Sequence, residues 1–246
     1  MQNQSNILKS IVIGLFSAAM GYLFVENTRL VVLIAGMWAI YVILTRGKNL
    51  LPPAPRLDDE TLTVDEDGYA DVAMSIEEVM AHGTTLAIIL MILPLIPYFL
   101  IYTSEHFVDT TFTTLNLALA VPAILVAIIA HEFVHAITWV IFGGFSWRFM
   151  SFGIDRKTLS PYAHADVPMK AFAYRIGAAM PGLLTGIVPA IIALFIGHGA
   201  LMLLSSFMIS AAVGDVYVLW IIKNVPAETL VRDHPTKAGC LVKIEQ

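Results

Sequence analysis

Residues 117–142 read LALAVPAILVAIIAHEFVHAITWVIF, an apolar stretch long enough to cross a bilayer. It contains an H-E-x-x-H motif at residues 131–135. In an α-helix, residues i and i+4 lie on one face, so His131 and His135 can both offer a ring nitrogen to one Zn²⁺, with Glu132 beside the metal. Ionisable residues are costly inside a bilayer, so their presence indicates a functional site. A chance match to a short pattern is the alternative.

The composition is typical of integral membrane proteins. Of 246 residues, 58% are hydrophobic and only 13% are charged, which is more apolar surface than a soluble domain of this size can bury. The net charge of -5 and the lack of a basic stripe argue against a nucleic-acid partner. Cys240 is the only cysteine, so we expect any metal ligands to be His and carboxylate side chains.

Six apolar runs predict an all-α membrane protein with about six transmembrane helices. The second run is short and four residues separate the last two, so a count that differs by one is the alternative. A cleaved signal peptide is a second interpretation of the first run, but the next run follows so closely that a retained helical hairpin is favoured. The runs are 7–25, 30–44, 84–102, 117–142, 176–196 and 201–222.

The positions of Lys and Arg predict the orientation. With a cytoplasmic N-terminus, all fourteen Lys and Arg residues except Arg29 fall on the cytoplasmic side, as the positive-inside rule favours. We therefore expect a multi-pass protein of the cell membrane with both termini in the cytoplasm. The predicted parts are an N-terminal transmembrane hairpin at 1–51, an acidic cytoplasmic segment at 52–82, a membrane-embedded core at 83–222 and a cytoplasmic tail at 223–246.

A catalytic zinc site needs a third protein ligand and an open position for water. Within the predicted helices, away from their ends, the only acidic residues are Glu132 and Asp215. Asp215 lies eight residues before Lys223 and His135 lies eight residues before Gly143, so both are at a depth of about 12 Å from the cytoplasmic edge. We therefore expect His131, His135 and Asp215 to bind Zn²⁺. The alternative for Asp215 is an interhelical hydrogen bond, or an ion pair with a residue such as Arg175.

Several residues outside the predicted helices compete as the third ligand, although none has a matching depth in the membrane. These are His164, Glu228, Asp233 and His234.

The loop after the H-E-x-x-H helix mixes aromatic and β-branched residues with turn formers. Residues 147–154 and 158–164 are predicted to form a small cytoplasmic β-hairpin, whose free edge could pair with an extended substrate. A membrane-surface loop anchored by aromatic side chains is an equally good interpretation. Tyr162 and His164 are candidate contacts to the substrate or the transition state. The anchoring side chains would be Trp147, Phe149, Phe152 and Tyr162.

From Leu117 to Val242 the chain resembles a family of membrane zincin peptidases related to the site-2 proteases, which are intramembrane zinc metallopeptidases. The resemblance implies that His131, His135 and Asp215 bind zinc and that Glu132 is the catalytic base. The order Gly214-Asp215 reverses the Asp-Gly order of well-studied site-2 proteases. Besides the H-E-x-x-H motif, the resemblance rests on Pro161-Tyr162-Ala163-His164, Pro181-Gly182, Gly214-Asp215, Asp233-His234-Pro235 and Gly239.

The motif and the resemblance together predict a zinc-dependent endopeptidase that cleaves a membrane-embedded or juxtamembrane substrate. Zn²⁺ would lower the pKa of a bound water, and Glu132 would take its proton and pass it to the leaving amine. The expected partners are a membrane protein or peptide substrate and the lipid bilayer. The competing hypothesis is a non-catalytic multi-pass membrane protein, either a degenerate zincin scaffold or a metal-handling protein.

Overall fold

The computed structural model describes residues 30–43, 45, 50–55, 62–114, 117–155 and 160–244, apart from residue 33. The first predicted span, 7–25, lies outside these residues. The second corresponds to the apolar helix α1 (Leu30–Ile43), whose described part is shorter than the ~20 residues needed to cross a bilayer.

Four helical stretches in the described part of the chain are long and apolar enough to cross a membrane. They correspond to the last four predicted spans, so the structure supports a multi-pass membrane protein, whereas the count of six is not confirmed. The four stretches are Ile76–Ile101, Leu119–Gly143, Ala171–Ile196 and Gly199–Ile221.

Three of these four stretches are interrupted. Pro94 separates α2 (Ile76–Ile92) from α3 (Leu95–Ile101), as expected for a residue that cannot donate a helical hydrogen bond. The third stretch contains a π-helix at Gly182–Ile187, a feature often found at functional sites. The remaining helices are α4 (Ser104–Thr114), α5 (Leu117–Gly143), α6 (Ala171–Pro181), α7 (Val188–Ile196), α8 (Gly199–Ala211) and α9 (Val213–Ile221).

A four-stranded antiparallel sheet, which was not predicted, joins the acidic segment to the C-terminal residues. Its strand order is β1-β6-β5-β4. Val72 opposes Cys240 and Ala70 opposes Val242, and all four side chains are buried because alternate residues point toward the helices. The strands are β1 (Tyr69–Met74), β4 (Met169–Lys170), β5 (Leu230–Asp233) and β6 (Ala238–Lys243).

The predicted hairpin is confirmed, with shorter strands than expected. β2 (Met150–Ile154) pairs with β3 (Pro161–Ala165), and Ser151 lies opposite His164. The start of the predicted first strand is instead a 3-10 turn at Trp147–Phe149.

Both sheets lie at one end of the helices, as the chain connections require. β1 leads into α2, and Ser75 begins that helix with a capping box that includes Glu78. α5 leads into the hairpin, β4 leads into α6, and α9 leads into β5. A buried core that includes Trp139, Tyr174 and Cys240 connects helices and sheet at this end. We call this end of the helices the sheet end.

Candidate metal centre

The structure brings His131, His135 and Asp215 together. α5 presents both imidazoles on one face, and each histidine is only 7% exposed. Asp215 lies in the first turn of α9 and faces them. Its Oδ2 is 3.1 Å from His131 Nε2, and its Oδ1 is 3.3 Å from His135 Nε2. Depth counting from the sequence therefore placed the carboxylate at the correct level of the bundle.

Neighbouring oxygens orient both imidazoles. His135 Nδ1 lies 3.0 Å from the carbonyl oxygen of Gly177, which can only accept a hydrogen bond. Thr185 Oγ1 donates to the Pro181 carbonyl at 2.7 Å, so its oxygen can accept from His131 Nδ1 at 3.4 Å. In a neutral imidazole whose Nδ1 is the donor, Nε2 carries a lone pair, and in both histidines this lone pair would be directed at the carboxylate.

The positions of these three groups suit zinc coordination better than direct hydrogen bonding between the groups. In this neutral form the two imidazole lone pairs would face the carboxylate and repel it, and Asp215 Oδ2 is buried without a hydrogen bond in the described part of the chain. Ligands at about 2.0–2.1 Å from a tetrahedral zinc lie roughly 3.3 Å apart. The separations of 3.1 Å and 3.3 Å between Asp215 and the two histidines match that value.

Glu132 lies beside the three groups, with one carboxylate oxygen already engaged. The backbone N–H of Ala163 in β3 donates to Glu132 Oε2 at 2.9 Å. Glu132 also forms a group with His131 and His135 whose ligand atoms all lie within 4.8 Å of one another. Asp215 is in closer contact with both imidazoles than Glu132 is, and its Oδ2 has no hydrogen bond among the described residues, so both carboxylates are candidates for the third ligand position.

A cavity of about 600 Å³ opens beside this centre at the sheet end. His131, His135, Glu132 and Asp215 form one wall of it. The other walls come from β3 and from the loop that connects β5 to β6 at residues 234–237. The centre therefore has room for both water and a peptide.

His164 lines the cavity, but its imidazole is bonded to a carboxylate and does not join His131, His135 and Asp215. Its Nδ1 is 2.8 Å from Asp233 Oδ2, and its Nε2 is 3.4 Å from Asp166 Oδ1. The hydrogen bond with Asp233 raises the pKa of His164 above its ordinary value, against the opposing effect of burial. Tyr174 donates to the other oxygen of Asp233 at 2.8 Å. His164 therefore links the hairpin to β5.

The other competing ligands are engaged elsewhere. His234 Nδ1 accepts backbone hydrogen bonds from Thr236 and Lys237, and Glu228 forms an exposed ion pair with Lys170. Tyr162 lines the cavity, but its ring lies across the strand pair against Gly153, where an added methyl group would be 2.4 Å from the hydroxyl.

The structure also shows what lies around Asp215, and the alternative of an ion pair with Arg175 is not observed. Arg175 does not pair with it, but donates to the carbonyls of Ile222 and Val225, just beyond α9, where a cation complements the helix dipole. Gly214 does not mediate a close helix contact: it lines the cavity, and an added methyl group would meet no atom within 4 Å.

Sequence reasoning missed the groups that orient the histidines. Gly177 acts through its backbone carbonyl, which no side-chain pattern reveals. Thr185 lies four residues after Pro181 inside the π-helix, and Pro181 was the local signal that the sequence offered for this irregular segment.

Comparison with known proteins is informative for this part of the chain. Residues 124–230 match a family model described as "Putative zincin peptidase". No curated protein and no solved structure matches the chain. The matched segment contains His131, Glu132, His135 and Asp215, and it supports a zincin-like family for which zinc is the implied metal.

Proposed function

We propose that this protein is an intramembrane zinc metallopeptidase that hydrolyses a peptide bond in a membrane-embedded or juxtamembrane substrate. One observation carries the proposal: the side chains of His131, His135 and Asp215 meet on helices long and apolar enough to cross a membrane, with Glu132 beside them at a cavity. The zincin match over the same residues supports the chemistry.

The residues divide the work of hydrolysis. When bound, Zn²⁺ supplies a Lewis acid that acidifies a coordinated water and polarises the scissile carbonyl. Ala163 holds Glu132 through Oε2, which leaves Oε1 to accept the water proton and deliver it to the leaving amine. The Gly177 carbonyl and the Thr185 hydroxyl keep the histidine lone pairs directed at the metal position.

The hairpin supports docking of an extended peptide. β3 pairs with β2 along one edge, while Pro161 and Ala163 line the cavity beside Glu132. A peptide bond in a helix must unwind before a base and a metal can reach it, and a free strand edge is a general way to hold an extended chain.

An aromatic surface supports a position at the membrane boundary. The rings of Phe133, Trp147 and Phe152 contact one another and each is more than 40% exposed. Exposed aromatic clusters are typical of the interface between lipid and water. From the Lys and Arg distribution we infer that the sheet end, and with it the opening of the cavity, faces the cytoplasm.

The test uses Glu132→Gln with Glu105→Gln as the matched control, since Glu105 is an exposed carboxylate at the opposite end of the bundle. Each protein is reconstituted in liposomes with single-span fluorogenic peptides, and bound zinc is measured in parallel. We expect equal zinc in all three proteins, activity in wild type and Glu105→Gln, and a loss of about 10²-fold or more in Glu132→Gln. Equal cleavage by wild type and Glu132→Gln would refute the proposed role of Glu132.

A further inference from the structure

The hydrogen bonds of the hairpin determine which backbone groups of β3 face the cavity. Asp155 N donates to Ser160 O, and Asp166 N donates to Phe149 O. In an antiparallel pair such bonded positions recur every second residue. Tyr162 and His164 therefore direct their backbone groups toward β2, and the odd-numbered residues of β3 direct theirs away from it.

Every donor on this outward edge is missing or occupied. Pro161 has no N–H. Ala163 N donates to Glu132 at 2.9 Å, and Ala165 N lies 3.4 Å from the carboxylate of Asp233. The carbonyl groups of Pro161 and Ala163 have no hydrogen-bond partner among the described residues, and both residues line the cavity.

We propose that β3 binds the substrate through acceptors alone. An extended substrate donates two of its own N–H groups, from residues two apart, to the carbonyls of Pro161 and Ala163. Glu132 and Asp233 keep their hydrogen bonds to β3 throughout. This inference rests on the proposed function, because it describes how the same site holds its peptide.

The geometry of a β-strand restricts which substrate sequences can bind to this edge. Outward carbonyls of residues i and i+2 are about 6.6–6.8 Å apart, the same spacing as alternate N–H groups in an extended chain. A substrate proline at either paired position would have no proton to donate, so proline is excluded there. In two-way pairing, the substrate would also accept a hydrogen bond from the Ala163 N–H. That bond would replace the one from Ala163 to Glu132 and release the base from its position.

The first experiment uses a defined probe and the inactive zinc-loaded Glu132→Gln protein. The probe is the pentapeptide amide Leu-Val-Ala-Val-Ala with an N-terminal succinyl hydroxamate, together with five derivatives that each carry one backbone N-methyl group. We expect N-methylation to weaken binding at least about threefold at two positions separated by one residue, and little elsewhere. Equal losses at all positions, no losses, or no binding of the parent compound would overturn the inference.

A second comparison separates acceptor-only binding from two-way pairing. Glu132→Ala leaves the Ala163 N–H free, whereas Glu132→Gln retains an oxygen that can accept it. We expect the two zinc-loaded variants to bind the parent compound within twofold of each other. Binding by Glu132→Ala that is threefold tighter or more would mean that the substrate takes the Ala163 N–H, and would overturn the inference.

These binding measurements need no hydrolysis, so the two proposals can fail separately. An alternating N-methyl pattern with an inactive wild type would refute the peptidase alone, and an active wild type without the pattern would refute the acceptor-only edge alone.

Discussion

Gly177 is the position at which the smallest change should disturb the metal centre. A methyl group added there would lie 2.0 Å from Trp139 Nε1 and 2.1 Å from Cδ1. Trp139 is 4% exposed and stacks between His135 at 5.3 Å and Tyr174 at 5.4 Å. An ordinary contact begins at 3.4 Å, so the indole must move by about 1.4 Å, the difference between 3.4 and 2.0. The imidazole of His135 must then move with it.

We expect Gly177→Ala to destabilise the protein by about 1–3 kcal/mol, the usual cost of overpacking a core. For a chain of this length that corresponds to a fall of roughly 2–12 °C in Tm. Displacement of an oriented histidine should also weaken zinc binding by about 10- to 100-fold. The assay is thermal unfolding of the detergent-solubilised protein, followed by a zinc competition titration.

Gly214→Ala is the matched control, because the same substitution there meets no atom within 4 Å although the site is next to Asp215. Alanine has a higher helix propensity than glycine by up to about 1 kcal/mol, so Tm should stay the same or rise. Zinc affinity should not change. If Gly177→Ala matched Gly214→Ala in both Tm and zinc affinity, the packing argument would be refuted.

Three further predictions concern the surroundings of the site. Thr185→Val should weaken zinc binding by about 10-fold or more while Thr185→Ser keeps it, as competition titrations would show; equal affinities would exclude an orienting role. Because Asp233 raises the pKa of His164, their bond stabilises the protein fully below pH 6.5 and less as the pH rises through the raised pKa. The stability advantage of wild type over Asp233→Asn should therefore shrink as the pH rises above 6.5, and a constant difference in denaturant unfolding would contradict this. Asp109→Cys should react with a membrane-impermeant maleimide in intact cells, and Glu228→Cys only after permeabilisation; the reverse would invert the proposed orientation.

The sequence was sufficient where the signal is local or periodic. His131 and His135 lie one helical turn apart, so any helix through them forms the pair. The turn formers between two aromatic-rich runs predicted the β2–β3 hairpin. Asp215 is distant in sequence, but depth in a membrane can be compared between helices that cross it. Counting residues from the helix end therefore predicted that Asp215 lies at the level of His135, and the two side chains are in contact.

The sequence was insufficient where a contact depends on backbone groups or on distant pairing. β1 and β6 are separated by more than 160 residues and each is only six residues long, so neither predicts its partner. His135 is oriented by the backbone carbonyl of Gly177, and Glu132 by the backbone N–H of Ala163. Every residue type has such a carbonyl and every type except proline has such an N–H, so only the fold determines which of them face the site.

Zinc K-edge X-ray absorption of the purified wild-type protein tests the central claim most directly. If His131, His135 and Asp215 hold the metal, the purified protein will contain one zinc per chain, and the spectrum will show two imidazole nitrogens and oxygen ligands at about 2.0–2.2 Å. A chain without stoichiometric zinc, or a spectrum with sulfur at about 2.3 Å, would contradict the account.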